Sequence, residues 1–167
     1  DPRVRNRSVD EFCSGTSLQT LLGECAALDR LGMAADSLYE RVRAQFFLYD
    51  IHRFHLPMKA GCAPTGRIPF AATEHILNRR FTQAIKLLLE AQRESGANAA
   101  LSSALAVAYR GLAFQTLSNQ VRLSVRSFRG NGWLSRVGHP DDYPLSIRPE
   151  LLVRDAETGL HPILRET

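Results

Sequence analysis

His52 and His55 lie in the run "DIHRFHLPMKAGC", Asp50 to Cys62, with an aspartate just before them and a cysteine shortly after. On a helix, residues three apart share a face, and two imidazoles at that spacing can chelate a divalent metal. α-Helical geometry turns Asp50 away from that face, so a third ligand must come from another element. Glu74 or His75, in "ATEHIL", is the available choice. A carboxylate with imidazoles suits zinc or non-haem iron. The established spacings are not present, neither HExxH nor a pair of ExxH motifs. At the end of a helix the same histidines serve the exposed carbonyls and the dipole instead. The reading is therefore a helix end with no metal and no cofactor. The rival is a metal-dependent or sugar-phosphate enzyme using His52 and His55 with Glu74 or His75.

A second set is Arg122, Arg126 and Arg129, spaced four and three apart, with Phe128, Trp133 and Arg136 alongside. Arginines interleaved with aromatics can grip phosphate, which makes an anion or nucleic-acid binder an alternative. Acidic residues nearly balance the basic ones, and no nucleic-acid-binding motif accompanies the cluster. A solvated or partner-paired arginine face is the plainer reading. Nucleophile arrangements are weaker still. Ser14 and Ser127 lack a GxSxG setting, Cys62 has no oxyanion-type loop before it, and "APTGR" lacks the ending of a P-loop. "HPDD", His139 to Asp142, reads as turn-forming residues in a proline-rich segment. No catalytic residue is named on these grounds, and whether the chain is an enzyme stays open.

The elements that would position these groups are helices. "SVDE" at Ser8 to Glu11 has capping-box form and predicts a short helix ending near Gly15. "TSLQTLLGECAALDRLG" is amphipathic through Leu18, Leu21, Leu22, Cys25 and Leu28, and Gly32 closes it. "AADSLYERVRAQFFLYDIHRF" repeats the pattern through Leu38, Val42, Phe46, Tyr49 and Arg53, and Pro57 predicts its end near His55. Three prolines and two glycines make residues 57–71 a loop. "TEHILNRRFTQAIKLLLEAQRES" then carries a stripe of Leu77, Phe81, Ala84, Ile85 and Leu88. "GANAALSSALAVAYRGLAFQTLSNQV" carries another, of Leu101, Leu105, Ala108, Leu112, Leu117 and Val121. Gly96 and Asn98 between them suit a C-cap and an N-cap, so the two helices should pack antiparallel. The second is expected to run to about Ser127, with a Leu123–Phe128 and Trp133–Val137 hairpin as the alternative. From Gly138 the chain is punctuated by Pro140, Pro144, Pro149 and Pro162, yet rich in apolar residues. That combination predicts an extended strap held by docking. The fold class is mainly α: antiparallel helical hairpins with an irregular, proline-rich C-terminal extension. Its division is a helical domain over 1–137 and a strap over 138–167.

The hairpin from Phe81 to Val125, with "FTQAIKLLLEAQ" and "LAVAYRGLAFQTLSNQV", resembles a tetratricopeptide-type helical unit, which implies a protein-interaction role. The tail "GHPDDYPLSIRPELLVRDAETGLHPILRET" resembles the lead-in to a sugar-kinase-like domain of the GHMP type in large bacterial proteins. That resemblance implies an accessory helical segment ahead of an enzyme, with none of its active site.

Bulk properties narrow the class. The 167 residues, 44% hydrophobic and 23% charged, are enough for one globular domain with a real core. No apolar run approaches the ~20 residues of a membrane span, and no leader is visible, so no membrane partner is expected. The chain does not begin with methionine, which predicts a segment of a longer polypeptide. Cys13, Cys25 and Cys62 form neither a disulfide framework nor a CxxC pair and read as reduced thiols in a cytoplasmic protein. Lys59 and Lys86 are the only lysines beside a net charge of +4. The leading expectation is a non-catalytic helical scaffold or interaction module whose partner is another protein or the remainder of a longer chain.

Overall fold

In a computed structural model, described for residues 7–126, 153–157 and 159, the chain is helical and has no strand among those residues. It divides into two compact units, residues 1–120 and 121–167. The first unit opens with α1, Val9–Ser14, and α2, Leu18–Ala34. Ser8 caps α1 by accepting from the Glu11 N–H at 3.4 Å, and Ser17 caps α2 by accepting from the Thr20 N–H at 3.2 Å. Helix α2 runs through Gly32 rather than stopping there. Helix α3 spans Leu38–Asp50. It passes into a π-helical turn, Ile51–His55, where the Leu56 N–H bonds to the Ile51 carbonyl, and then into a 3₁₀ turn, Leu56–Met58. Pro57 falls at the start of that last turn, where its missing N–H costs nothing.

The loop that follows is laid along the turn between the next two long helices. Ala63 bonds to the Ala97 carbonyl at 3.0 Å and accepts from the Ala99 N–H at 2.8 Å.

One predicted helix proves to be two. Helix α4, Phe70–Leu77, ends at "NRR", and α5, Phe81–Ser95, begins again after it. The Arg80 N–H bonds to the His75 carbonyl at 2.8 Å and the Arg79 N–H to the Ile76 carbonyl at 3.0 Å. Arg79 sits at φ 58, the left-handed conformation. This is the helix-ending pattern in which glycine usually occupies the left-handed position, formed here around an arginine. An arginine at that position hides the stop from a sequence reading. Leu77, expected on the buried stripe, is consequently 78% exposed.

Helix α6, Ala99–Arg126, follows α5 as expected. Gly96, at φ 80, ends α5, and Asn98 accepts from the Leu101 N–H at 2.9 Å. The pairing is antiparallel. Near the start of α5, the Phe81 ring lies so close to Gly111 of α6 that a β-carbon there would meet it at 2.5 Å. The core runs through Leu21, Leu48, Leu56, Leu88, Leu101 and Leu105, each at most 1% exposed. On α3 the buried face is Ala44, Gln45 and Leu48, continuing to Ile51 and His52, whereas the stripe expected from Leu38 to Arg53 is partly or fully solvated. Residues 121–126 belong to the second unit, in which Gly159 bonds back to the Asp155 carbonyl at 2.9 Å and closes a turn. Residues 123–126 are helical, as expected, and not the first strand of the alternative hairpin; its second strand, Trp133–Val137, and the strap from Gly138, apart from that turn, lie outside the described residues.

Candidate functional site

His52 and His55 do not act together. The π-helical turn directs His52 into the core, 1% exposed, with its ring stacked on Tyr109 at 5.7 Å and 22°. Neither of its ring nitrogens has a hydrogen-bond partner. Burial lowers its pKa to about 4, so the ring is neutral at ordinary pH. Glu74 and His75 join neither histidine among the described residues. His55 instead meets Asp10 and Asp50, its Nε2 lying 3.2 Å from one carboxylate and 3.4 Å from the other. The expectation that Asp50 points elsewhere assumed α-helical geometry. A π turn bonds residue i to i+5, and Asp50 and His55 are five apart.

The three donor atoms lie within 4.8 Å of one another, chemistry that suits either a shared proton or a weakly held cation. Asp10 is fully solvated, with its side chain 87% exposed. The cluster also anchors α1, whose last carbonyls, of Cys13 and Ser14, accept from the Lys59 ammonium.

Arg122 and Arg126 lie on α6 as the spacing predicted, and Arg129 is outside the described residues. The thiols are free, as expected. Burial raises all three pKa values, that of Cys25 to about 12, which removes them as ready nucleophiles.

The concave site that the sequence did not disclose lies between α2, α3, α5 and α6 of the first unit. It is a cavity of about 530 Å³, within the range of small-ligand pockets. Leu48, Ile85, Leu89 and Leu112 form its apolar walls, with Tyr109 behind them. The Tyr109 hydroxyl donates to Asp29 at 2.9 Å, tying α6 to α2. Burial and the adjacent Asp29 carboxylate raise the tyrosine pKa strongly, so the hydroxyl keeps its proton. Asp29 is the only acid in the lining, which contains neither histidine nor cysteine.

Three cations, Arg41, Lys86 and Arg93, complete it. None of them pairs with a carboxylate among the described residues. Two polar atoms in this lining are sealed from solvent without a partner: Gln45 Oε1 and Arg41 Nε. Gln45 is 8% exposed. The stripe expected through Val42, Phe46 and Tyr49 is rotated from the face that is buried, Ala44, Gln45 and Leu48, and so did not disclose this site. The available signal was the row Arg41, Gln45, Leu48, together with Lys86, Leu89, Arg93, each with one-turn and two-turn spacing. Comparisons with protein-family models, with curated proteins and with solved structures found no match.

Proposed function

We propose that this chain is a non-catalytic helical interaction module, a segment of a larger enzyme or assembly, and that the cavity between α2, α3, α5 and α6 is its working element. The observation that carries this reading is the lining itself: a preformed apolar volume of about 530 Å³ whose walls hold hydrogen-bonding groups but no histidine, cysteine or serine. General acid–base catalysis needs a titratable group poised near the working pH. Here the only carboxylate is occupied by Tyr109, and no imidazole or thiol lines the wall. The resemblance of Phe81–Val125 to a tetratricopeptide-type hairpin points the same way, as does an accessory place beside an enzyme.

The test is binding of Nile red, an uncharged dye that brightens in apolar surroundings. The full chain is expected to take it up saturably at one site. Thr116→Trp, which fills the cavity from the α6 wall, should abolish the signal while the far-ultraviolet circular dichroism stays the same. Absent or non-saturable dye binding in the unmutated chain would remove the cavity as the working element.

A further inference from the structure

Asp10, Asp50 and His55 come together from α1, the end of α3 and the π-helical turn, and none of them lines the cavity. The Nε2 atom of His55 is sealed from solvent, yet it makes no hydrogen bond. Two carboxylate oxygens stand close to it, that of Asp10 at 3.2 Å and that of Asp50 at 3.4 Å. A hydrogen bond needs its acceptor near the line of the N–H. Neither oxygen meets that condition at so short a range, so the nitrogen points between the two carboxylates rather than at either. No arginine or lysine among the described residues pairs with Asp10 or Asp50. The Lys59 ammonium is engaged by the Cys13 and Ser14 carbonyls. Two negative charges and one imidazole nitrogen therefore converge, with the three donor atoms within 4.8 Å of one another.

The distances and the donor types select the ion. Around a tetrahedral zinc, bonds of about 2.0–2.1 Å place neighbouring ligand atoms about 3.4 Å apart. Both nitrogen–oxygen separations match that edge. The oxygen–oxygen edge is adjustable, because the Asp10 side chain is solvated. Calcium and magnesium favour all-oxygen sets with six or more ligands, whereas an imidazole beside carboxylates suits zinc. We infer that Asp10, Asp50 and His55 form a zinc site that takes the ion reversibly, with solvent in the fourth position. An ion on three protein ligands, one of them solvated, exchanges readily and is not retained through purification. Its effect on the molecule follows from where the ligands lie. Helix α1 has only six residues, too few to stay helical without tertiary support. Asp10 joins it to the turn that carries Asp50 and His55. Zinc turns a like-charge contact between those elements into a bridge, and so fastens α1, with its buried Cys13, onto the π-helical turn.

The experiment titrates the chelator-treated full chain with zinc chloride alone, by calorimetry, with magnesium chloride as the comparison. One saturable zinc site in the micromolar range is expected, and magnesium should give none at the same concentrations. Saturating zinc should raise the melting temperature by several degrees, as binding to the folded state requires. Loss of a mere outer-shell partner costs about 10–100-fold in metal affinity, so loss of a ligand should cost at least about tenfold. Asp10→Asn, at a solvated position that should fold normally, is expected to show that loss, and His55→Gln the same. Cys62→Ser and His75→Gln remove zinc-binding groups outside the cluster and should change nothing. Zinc affinity that survives Asp10→Asn and His55→Gln overturns the inference, as does affinity lost in Cys62→Ser or His75→Gln. An equal response to magnesium, no zinc uptake, or saturation without a rise in melting temperature overturns it too. Each of these outcomes leaves Nile red binding, and with it the cavity reading, to be judged on its own.

Discussion

His52 couples a buried neutral ring to the acid limit of the fold. In the unfolded chain an imidazole titrates near pH 6.5, while in the fold burial holds His52 at about 4. Between those values the unfolded state binds a proton that the folded state refuses. The contribution to stability is therefore complete above about pH 6.5, drains as pH falls, and stops changing below about pH 4. The whole effect is about 3 kcal/mol. Urea unfolding at pH 7, 5.5 and 4 should show this loss in the unmutated protein and a much flatter profile in His52→Leu. At pH 7 the variant should be about as stable as the parent, because it removes two nitrogens whose hydrogen bonds are unmade. Parallel decline in both proteins would assign the acid sensitivity to other groups. His55 raises a different question. Its cluster offers three donors, one of them fully solvated, too few for a tight structural ion. A strong chelator is expected to leave the melting temperature unchanged, and a drop of several degrees would show a resident metal.

The helices were readable wherever local chemistry agreed with packing. Ser8, Ser17 and Asn98 cap the helices they precede, and the α5–α6 stripes meet in the core. Leu88 and Leu105 are both fully buried, so truncating either to alanine should cost about 2–5 kcal/mol by chemical denaturation. A loss below about half a kcal/mol at both would contradict the packing. Two features were unreadable for stated physical reasons. The α4–α5 break uses Arg79 where glycine is usual, so Arg79→Gly should stabilise the chain by about 1 kcal/mol by relieving a left-handed L-residue. The π turn follows from packing that no periodic pattern announces, and it alone brings Asp50 to His55. Gly111 shows the converse. Replacing a mid-helix glycine by alanine ordinarily gains about 1 kcal/mol. Here the Phe81 ring occupies the space a β-carbon needs, so Gly111→Ala should lose about 1–3 kcal/mol. A gain would mean that α5 and α6 do not approach as closely as described.

At the scale of the molecule, among the described residues every member of the buried core cluster, from Cys13 to Tyr109, falls within the unit spanning 1–120, as does every residue lining the cavity. Among the described residues, no helix is long and apolar enough to cross a membrane. Past Ala113, α6 contributes no fully buried apolar side chain up to residue 121. Helical ends without tertiary burial add little stability, since short helices in water gain most of theirs from packing. The chain ended at Gln120 is therefore expected to unfold in one cooperative transition, with a melting temperature within a few degrees of the first transition of the full chain, and to bind Nile red as the full chain does. The apolar content of residues 138–167 argues for a docked strap and supplies the opposing outcome. If the shortened chain aggregates or melts far lower, residues beyond 120 cover part of the helical core, and the independence of the first unit is wrong. Retained dye binding with an unchanged melt would instead place the binding function wholly in the helices from α2 to α6.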